Sequence, residues 1–197
     1  MAEPARKLPT FDELYAEILA LPEGVTGEIL GPGWLRTMGR PSTRHSRAAW
    51  KLRRGLGGSD ILDGGRGWWF EVEPEVEFAD KLYVPDIAGW QVAEEPDFLD
   101  ENPITVVPDW ACEILSRSTQ ARDRAVKLPT YAAAGVKHVW IVDPAARSVE
   151  VYACTPQGAL LIDSALDDAR KVLAPFPHEI DLGSFWRRER ATSVPAR

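Results

Sequence analysis

The chain has 197 residues, 45% of them hydrophobic and 27% charged, which is a length for one domain and enough apolar material for a sizeable core. Lys and Arg number 23 against 30 Asp and Glu, a net charge of −7. That balance excludes a protein that coats nucleic acid by bulk attraction, which needs a basic face. It leaves room for a local site that handles phosphates with metal ions, because such a site is itself built from carboxylates. Cys112 and Cys154, the two cysteines, cannot form a disulfide framework and lack zinc-ligand spacing. With no apolar run of about 18 residues and no signal-type stretch from Met1 to Pro9, the expectation is a reduced, cytoplasmic setting without membrane contact. Loose ends are expected at 1–9 and 187–197.

Thr10 and Glu13 form a capping box, in which hydroxyl and carboxylate each satisfy a free backbone amide. Phe11, Leu14, Tyr15, Ile18 and Leu19 then repeat at helical spacing, and Pro22 and Gly24 end the helix. Val25 to Met38, broken at Gly31-Pro32-Gly33, predicts a hairpin carrying Glu28. Ser42 or Thr43 caps a second helix, with Ala48, Ala49, Leu52 and Leu56 on one face. Arg44, Arg47, Lys51, Arg53 and Arg54 occupy much of the rest. Gly55 to Gly67 is a loop. Its Gly55-Leu56-Gly57-Gly58 is no nucleotide loop, since a helix precedes it where a strand is required.

From Trp68 the period changes to two. Val72, Val76 and Phe78 alternate with Glu71, Glu73, Glu75 and Glu77, which predicts one strand with an acidic face and Pro74 as a bulge or edge. Leu82 to Val92 predicts a second strand and Trp110 to Leu115 a third, apolar on both sides apart from Glu113, as a buried central strand would be. An acidic, proline-bearing loop from Glu94 to Pro108 separates them. Gln120 to Ala134 predicts a helix with Pro129 as a kink or boundary and Gly135 as its stop. Val136 to Val142 is a strand turned by Asp143-Pro144, and Ser148 to Ala153 with Ala159 to Asp163 makes a last hairpin. This order predicts a mixed α/β sheet. Trp110 and Trp140 are expected in the core, and one ring of Trp68-Trp69 at the surface, at a dimer contact.

Asp86 in Val84-Pro85-Asp86-Ile87-Ala88 and Glu113 in Ala111-Cys112-Glu113-Ile114-Leu115 are both carboxylates among apolar neighbours. Burying an ionised carboxylate without a partner costs several kcal/mol or shifts its pKa. Two on sequential strands, which are usually neighbours, repel each other unless a divalent ion or a lysine lies between them. Taken singly, each acid is as readily explained by its own salt bridge or a loop cap. Asp123, Lys127 and Tyr131 follow at i, i+4, i+8 and share one helix face, so Lys127 either turns back toward the two acids or pairs with Asp123 on the surface. Glu75 either adds a metal ligand or belongs to a solvated strand face. His45, at a helix start, either contacts phosphate or bonds nearby backbone. Glu28 could bond His45 or Lys127. His138 and His178 show no partner pattern and read as structural.

Pro85-Asp86, Glu113-Ile114-Leu115-Ser116 with Ser118-Thr119, then Asp123, Lys127, Tyr131, Gly135-Val136, Trp140 and Asp143-Pro144 form an ordered series. Upstream stand Gly27-Glu28-Ile29-Leu30, Arg44-His45-Ser46 and Trp68-Trp69 leading to Glu73-Pro74-Glu75. The series resembles the bacterial "putative restriction endonuclease" domain family, a branch of the PD-(D/E)XK nuclease-like superfamily. The resemblance covers about Thr10 to Trp186. It implies an α/β fold with a restriction-endonuclease-like core, an αβββαβ mixed sheet flanked by helices, here with extra N- and C-terminal β-hairpins in a single domain over 10–186. It also implies a Mg²⁺-dependent nuclease, with Mn²⁺ substituting, in which Asp86, Glu113 and the Ile114 carbonyl hold the ion and nucleic acid, DNA foremost, is the substrate. The superfamily pattern puts a lysine two residues after the second acid. Here that residue is Leu115, and Lys127 is the candidate to replace the lysine. Glu75, Glu28 and His45 are supporting residues on this reading, and a homodimer follows by analogy. The competing readings are a catalytically inactive binding or assembly module that kept the acids, and an oligomeric scaffold with tryptophans at its interface.

Overall fold

A computed structural model describes residues 7–39, 42–116 and 120–187. Most of the expected loose ends, together with Ser118 and Thr119, lie outside the described residues. Helix α1 (Phe11–Leu19) opens on the expected capping box, with Thr10 N–H donating to Glu13 Oε2 at 2.8 Å and Glu13 N–H to Thr10 Oγ1 at 3.3 Å. Leu14 and Ile18 pack on Ile29 and Leu82. The helix lies close to the strand because Gly27 has no side chain, and a Cβ there would stand 2.6 Å from Ile18. Strands β1 (Val25–Gly31) and β2 (Trp34–Gly39) form the expected hairpin.

Helix α2 (Thr43–Gly55) follows, capped by Ser42. Next come β3 (Trp68–Val72), β4 (Val76–Phe78), β5 (Lys81–Tyr83), β6 (Ile87–Gln91) and β7 (Trp110–Ile114). A composite helix consists of α3 (Gln120–Arg122), a π-helical turn (Asp123–Lys127) and α4 (Leu128–Ala134). Then follow β8 (His138–Asp143), the hairpin β9 (Ser148–Thr155) and β10 (Gly158–Leu166), the small pair β11 (Arg170–Val172) and β12 (Glu179–Asp181), and α5 (Gly183–Trp186). No described helix is long and apolar enough to cross a membrane.

The main sheet has the order β10-β9-β8-β7-β6-β3, with β7 and β8 parallel and the other neighbours antiparallel. Helix α2, strands β3, β6 and β7, the composite helix and β8 thus give the expected αβββαβ series. The parallel pair needs the crossover that the composite helix supplies. One face packs Leu52, Leu56, Phe70, Trp110, Trp140 and Phe176. The other packs Trp69, Trp90, Ala111, Tyr131, Val139 and Ile141. Gly89, mid-strand in β6, makes room for two rings, since a Cβ there would lie 2.8 Å from Phe70 and 3.1 Å from Trp110.

Two expectations need correction. The alternating run from Trp68 to Phe78 is two strands in two sheets, and so is Leu82 to Val92. At Glu73 the backbone turns left-handed (φ 54°), Pro74 follows, and the chain leaves the main sheet. It forms the β4–β5 hairpin in a second sheet of order β2-β1-β5-β4, then returns through Val84-Pro85-Asp86. Alternation survives the change because each short strand also has one buried face. The rings of Trp68 and Trp69 are both buried, one on each face of the sheet, so neither is an exposed contact.

Pro129 marks the expected boundary, since the π-helical turn ends at Lys127 and α4 begins at Leu128 with the proline in its first turn. A proline removes one N–H and crowds the carbonyl four residues back. Here Leu128 N–H bonds the Asp123 carbonyl five residues back, and the wider turn relieves that crowding. Asp123, Lys127 and Tyr131 are all buried on one side, as their spacing predicts.

Candidate functional site

Asp86 lies where the chain re-enters the main sheet. Strands β6 and β7 pair Ile87 with Cys112 and Ala88 with Ala111; one further step of that register sets Asp86 opposite Glu113. On its other side β3 pairs Val72 with Ile87, and Glu73 N–H donates to the Asp86 carbonyl at 3.1 Å. Glu73, Asp86 and Glu113 therefore form a row across three adjacent strands. Residues opposed in this way share one face. Unrelieved like charges there are destabilising.

Each acid has its own partners. Asp86 Oδ2 accepts from Ile114 N–H at 2.5 Å, and Oδ1 lies 2.6 Å from His45 Nε2. Lys127 Nζ donates to Glu113 Oε1 and Oε2 at 2.9 and 3.0 Å. Tyr131 O–H donates to Glu113 Oε1 at 2.5 Å. Glu28, wholly buried on β1, lies 3.0 Å from Lys127 Nζ and 2.6 Å from Arg122. The Val84 carbonyl accepts from Lys127 at 3.1 Å. The ammonium has three donors, and Glu113, Glu28 and Val84 receive them.

The electrostatics follow from burial. Desolvation pushes the Glu113 carboxyl up to about 8, opposed first by the Lys127 charge. Burial alone would pull Lys127 down, but Glu113 and then Glu28 outweigh it and hold the ammonium above its ordinary value. Desolvation also drives the Tyr131 phenol well up, helped by Glu113, so it stays a donor. The hydrogen bond to Asp86 raises the His45 imidazole against its partial burial. Desolvation and then the Asp86 charge raise Glu73.

These side chains line a cavity of about 470 Å³. Its wall includes Arg36 and Thr37 of the β1–β2 hairpin, Ser42 and His45 at the start of α2, and Arg122 and Asp123. Four carboxylates (Glu73, Asp86, Glu113, Asp123) face three fixed cations (Arg36, Arg122, Lys127) across it, with Glu28 buried beneath. The balance is negative, so the pocket suits a cation with an anionic ligand bound to it.

The sequence model of the family described as "Putative restriction endonuclease" (Uma2) matches residues 11–182. The chain belongs to this family. A crystal structure described as "a putative nuclease belonging to DUF820", from Anabaena variabilis, matches with a TM-score of 0.64 at 22% identity, over 90% of this chain and 97% of that one. The two share a fold. No curated protein matches the chain.

In this family member the fold brings together Asp86, Glu113, Ile114, Lys127, His45 and Glu28. Glu75 stays outside: its carboxylate accepts from Tyr15 O–H at 2.8 Å, and it lines a separate depression with Leu99 and Ile104. Its place in the row is taken by Glu73, two residues earlier. The β3–β6 register sets Glu73 opposite Asp86, and the left-handed turn there carries Glu75 away from the row. Arg122 also escaped the sequence reading. Its only signal is its position on the helix that carries Lys127, one residue before the π-helical turn.

Proposed function

We propose that the protein is a Mg²⁺-dependent nuclease that hydrolyses phosphodiester bonds of nucleic acid, DNA foremost. The observation that carries this reading is the opposition of Asp86 and Glu113 at one cavity, with the Lys127 ammonium on Glu113. The donor set fits a hard divalent ion: carboxylate oxygens of Asp86 and Glu113, with the Ile114 carbonyl as third ligand. Each Asp86 oxygen accepts one bond, and Glu113 Oε2 accepts one from Lys127, so lone pairs remain for a cation.

A bound divalent ion would polarise the phosphate and lower the pKa of a water. Lys127, pinned by Glu28 and Glu113, supplies a fixed positive charge beside the phosphate, where charge grows in the transition state. Tyr131 and Lys127 together fix the Glu113 rotamer, and the Ile114 amide fixes Asp86. Such pre-set orientation costs no reorganisation during the reaction. Arg36 and Arg122 on the wall supply phosphate contacts. A cytoplasmic homodimer that cuts both strands belongs to the same proposal.

A second reading, a non-catalytic binding module, has one observation in its favour. Leu115 occupies the position of the superfamily lysine, and all three donors of Lys127 already have acceptors in the protein. The test is incubation of supercoiled plasmid, single-stranded DNA and RNA with Mg²⁺ or Mn²⁺, wild type against Asp86→Ala. Cleavage by wild type alone supports the nuclease. Equal cleavage by both, or none by either, leaves the binding module.

A further inference from the structure

The Asp86 carboxylate points two ways. Oδ2 turns toward β7 and the Ile114 amide, on the Glu113 side. Oδ1 turns toward α2 and meets His45 Nε2. On that second side the Glu73 carboxylate also arrives, and one ligand atom from each of His45, Glu73 and Asp86 lies within 4.8 Å of the other two. The three come from a helix, a strand end and a strand start, and none is a sequence neighbour of another. His45 and Asp86 side chains are only 17% and 14% exposed, while Glu73 sits at the open rim. A ligand could therefore enter from solvent and meet an imidazole and two carboxylates.

We infer that His45, Glu73 and Asp86 form a cation site of mixed nitrogen and oxygen donors, on the opposite side of Asp86 from Glu113, that takes a first-row transition ion such as Mn²⁺ in preference to Mg²⁺. The inference rests on the nuclease reading only in that Asp86 is shared with the proposed Mg²⁺ position. Three features carry it. The ligand set contains an imidazole, which suits transition ions and which Mg²⁺ seldom takes. The cavity already holds more carboxylates than fixed cations. Within the row of three acids, Lys127 neutralises the Glu113 end, and the Glu73 end meets an imidazole that is a ligand as well as a base. A cation there relieves the remaining repulsion between Glu73 and Asp86.

The experiment is pulsed electron paramagnetic resonance of Mn²⁺ bound to the full chain, read for ¹⁴N modulation from a coordinated imidazole, with calorimetric titration of Mn²⁺ and Mg²⁺. The expected result is nitrogen modulation in wild type and Mn²⁺ binding at least about tenfold tighter than Mg²⁺. His45→Gln should abolish the modulation, and Glu73→Gln, an exposed change that keeps the fold, should weaken Mn²⁺ about tenfold while the modulation persists. Bound Mn²⁺ without nitrogen modulation, or equal affinity for the two ions, overturns the site. Failure of the nuclease reading is separately visible: nitrogen modulation without nucleic-acid cleavage leaves this site standing, and cleavage without modulation does the reverse.

Discussion

Lys127 reaches both oxygens of Glu113, at 2.9 and 3.0 Å, from a helix that begins after the strand carrying that acid. Glu28 lies 3.0 Å away on the other side of the same ammonium. One cation thus holds two buried carboxylates from different sheets.

Removing that cation should unfold the protein readily. Lys127→Met would leave Glu28 and Glu113 buried without their common partner, and breaking a buried pair from one side costs about 3–5 kcal/mol. The expected result is a large drop in the urea midpoint. Replacing Lys127, Glu28 and Glu113 together by Met, Gln and Gln should recover much of it. A single variant as stable as wild type would contradict the buried network.

Asp86→Asn should act differently. The amide keeps an oxygen for the Ile114 N–H but loses the charge. Stability should change little. The rate of metal-dependent cleavage should fall at least about 100-fold, equivalent to about 2.7 kcal/mol in the barrier. Single-turnover kinetics on a short labelled DNA, with saturating Mg²⁺, measures it.

His138 gives a pH signature away from the site. Burial first, and then the neighbouring Lys137, lower its pKa in the folded protein. The unfolded chain therefore takes up the proton first as pH falls. The stability contributed by neutral His138 is fully present above about 6.5, the unfolded value, and is lost as pH falls through the lower folded value. Urea midpoints between pH 7.5 and 5 should decline less in His138→Gln than in wild type. His45, whose pKa is raised by Asp86, contributes with the opposite sign in both proteins and cancels in the comparison.

Neither thiol should react in the folded state. Burial drives Cys112 well up and Cys154 up to about 11. At pH 8 only about one Cys154 in a thousand is thiolate. Labelling with a chromogenic disulfide reagent should be slow in buffer and fast for both cysteines in denaturant. Rapid labelling of one thiol in buffer would place it in a more open setting.

Much of this protein was determined locally. The capping box at Thr10, Leu14 and Ile18 of the first helical stripe, the buried run of β7 and the common face of Asp123, Lys127 and Tyr131 all stand in the structure where their spacing puts them, while Leu19 at the end of that stripe is exposed. Such features depend on backbone sterics and on which side of a helix or strand meets water, and a few neighbouring residues suffice to set both. The oddity of Asp86 and Glu113 among apolar residues was legible for the same reason. Tertiary structure alone decided which acids meet. The β3–β6 register sets Glu73 in the row, and the left-handed turn there diverts the alternating run toward a second sheet, so that Glu75 pairs with Tyr15 instead. Glu28 reaches Lys127 because β1 joins β5 across the molecule, and Arg122 follows it there. These contacts span tens of residues. They arise from strand register and from the need to neutralise charge once it is buried, and no local period encodes either.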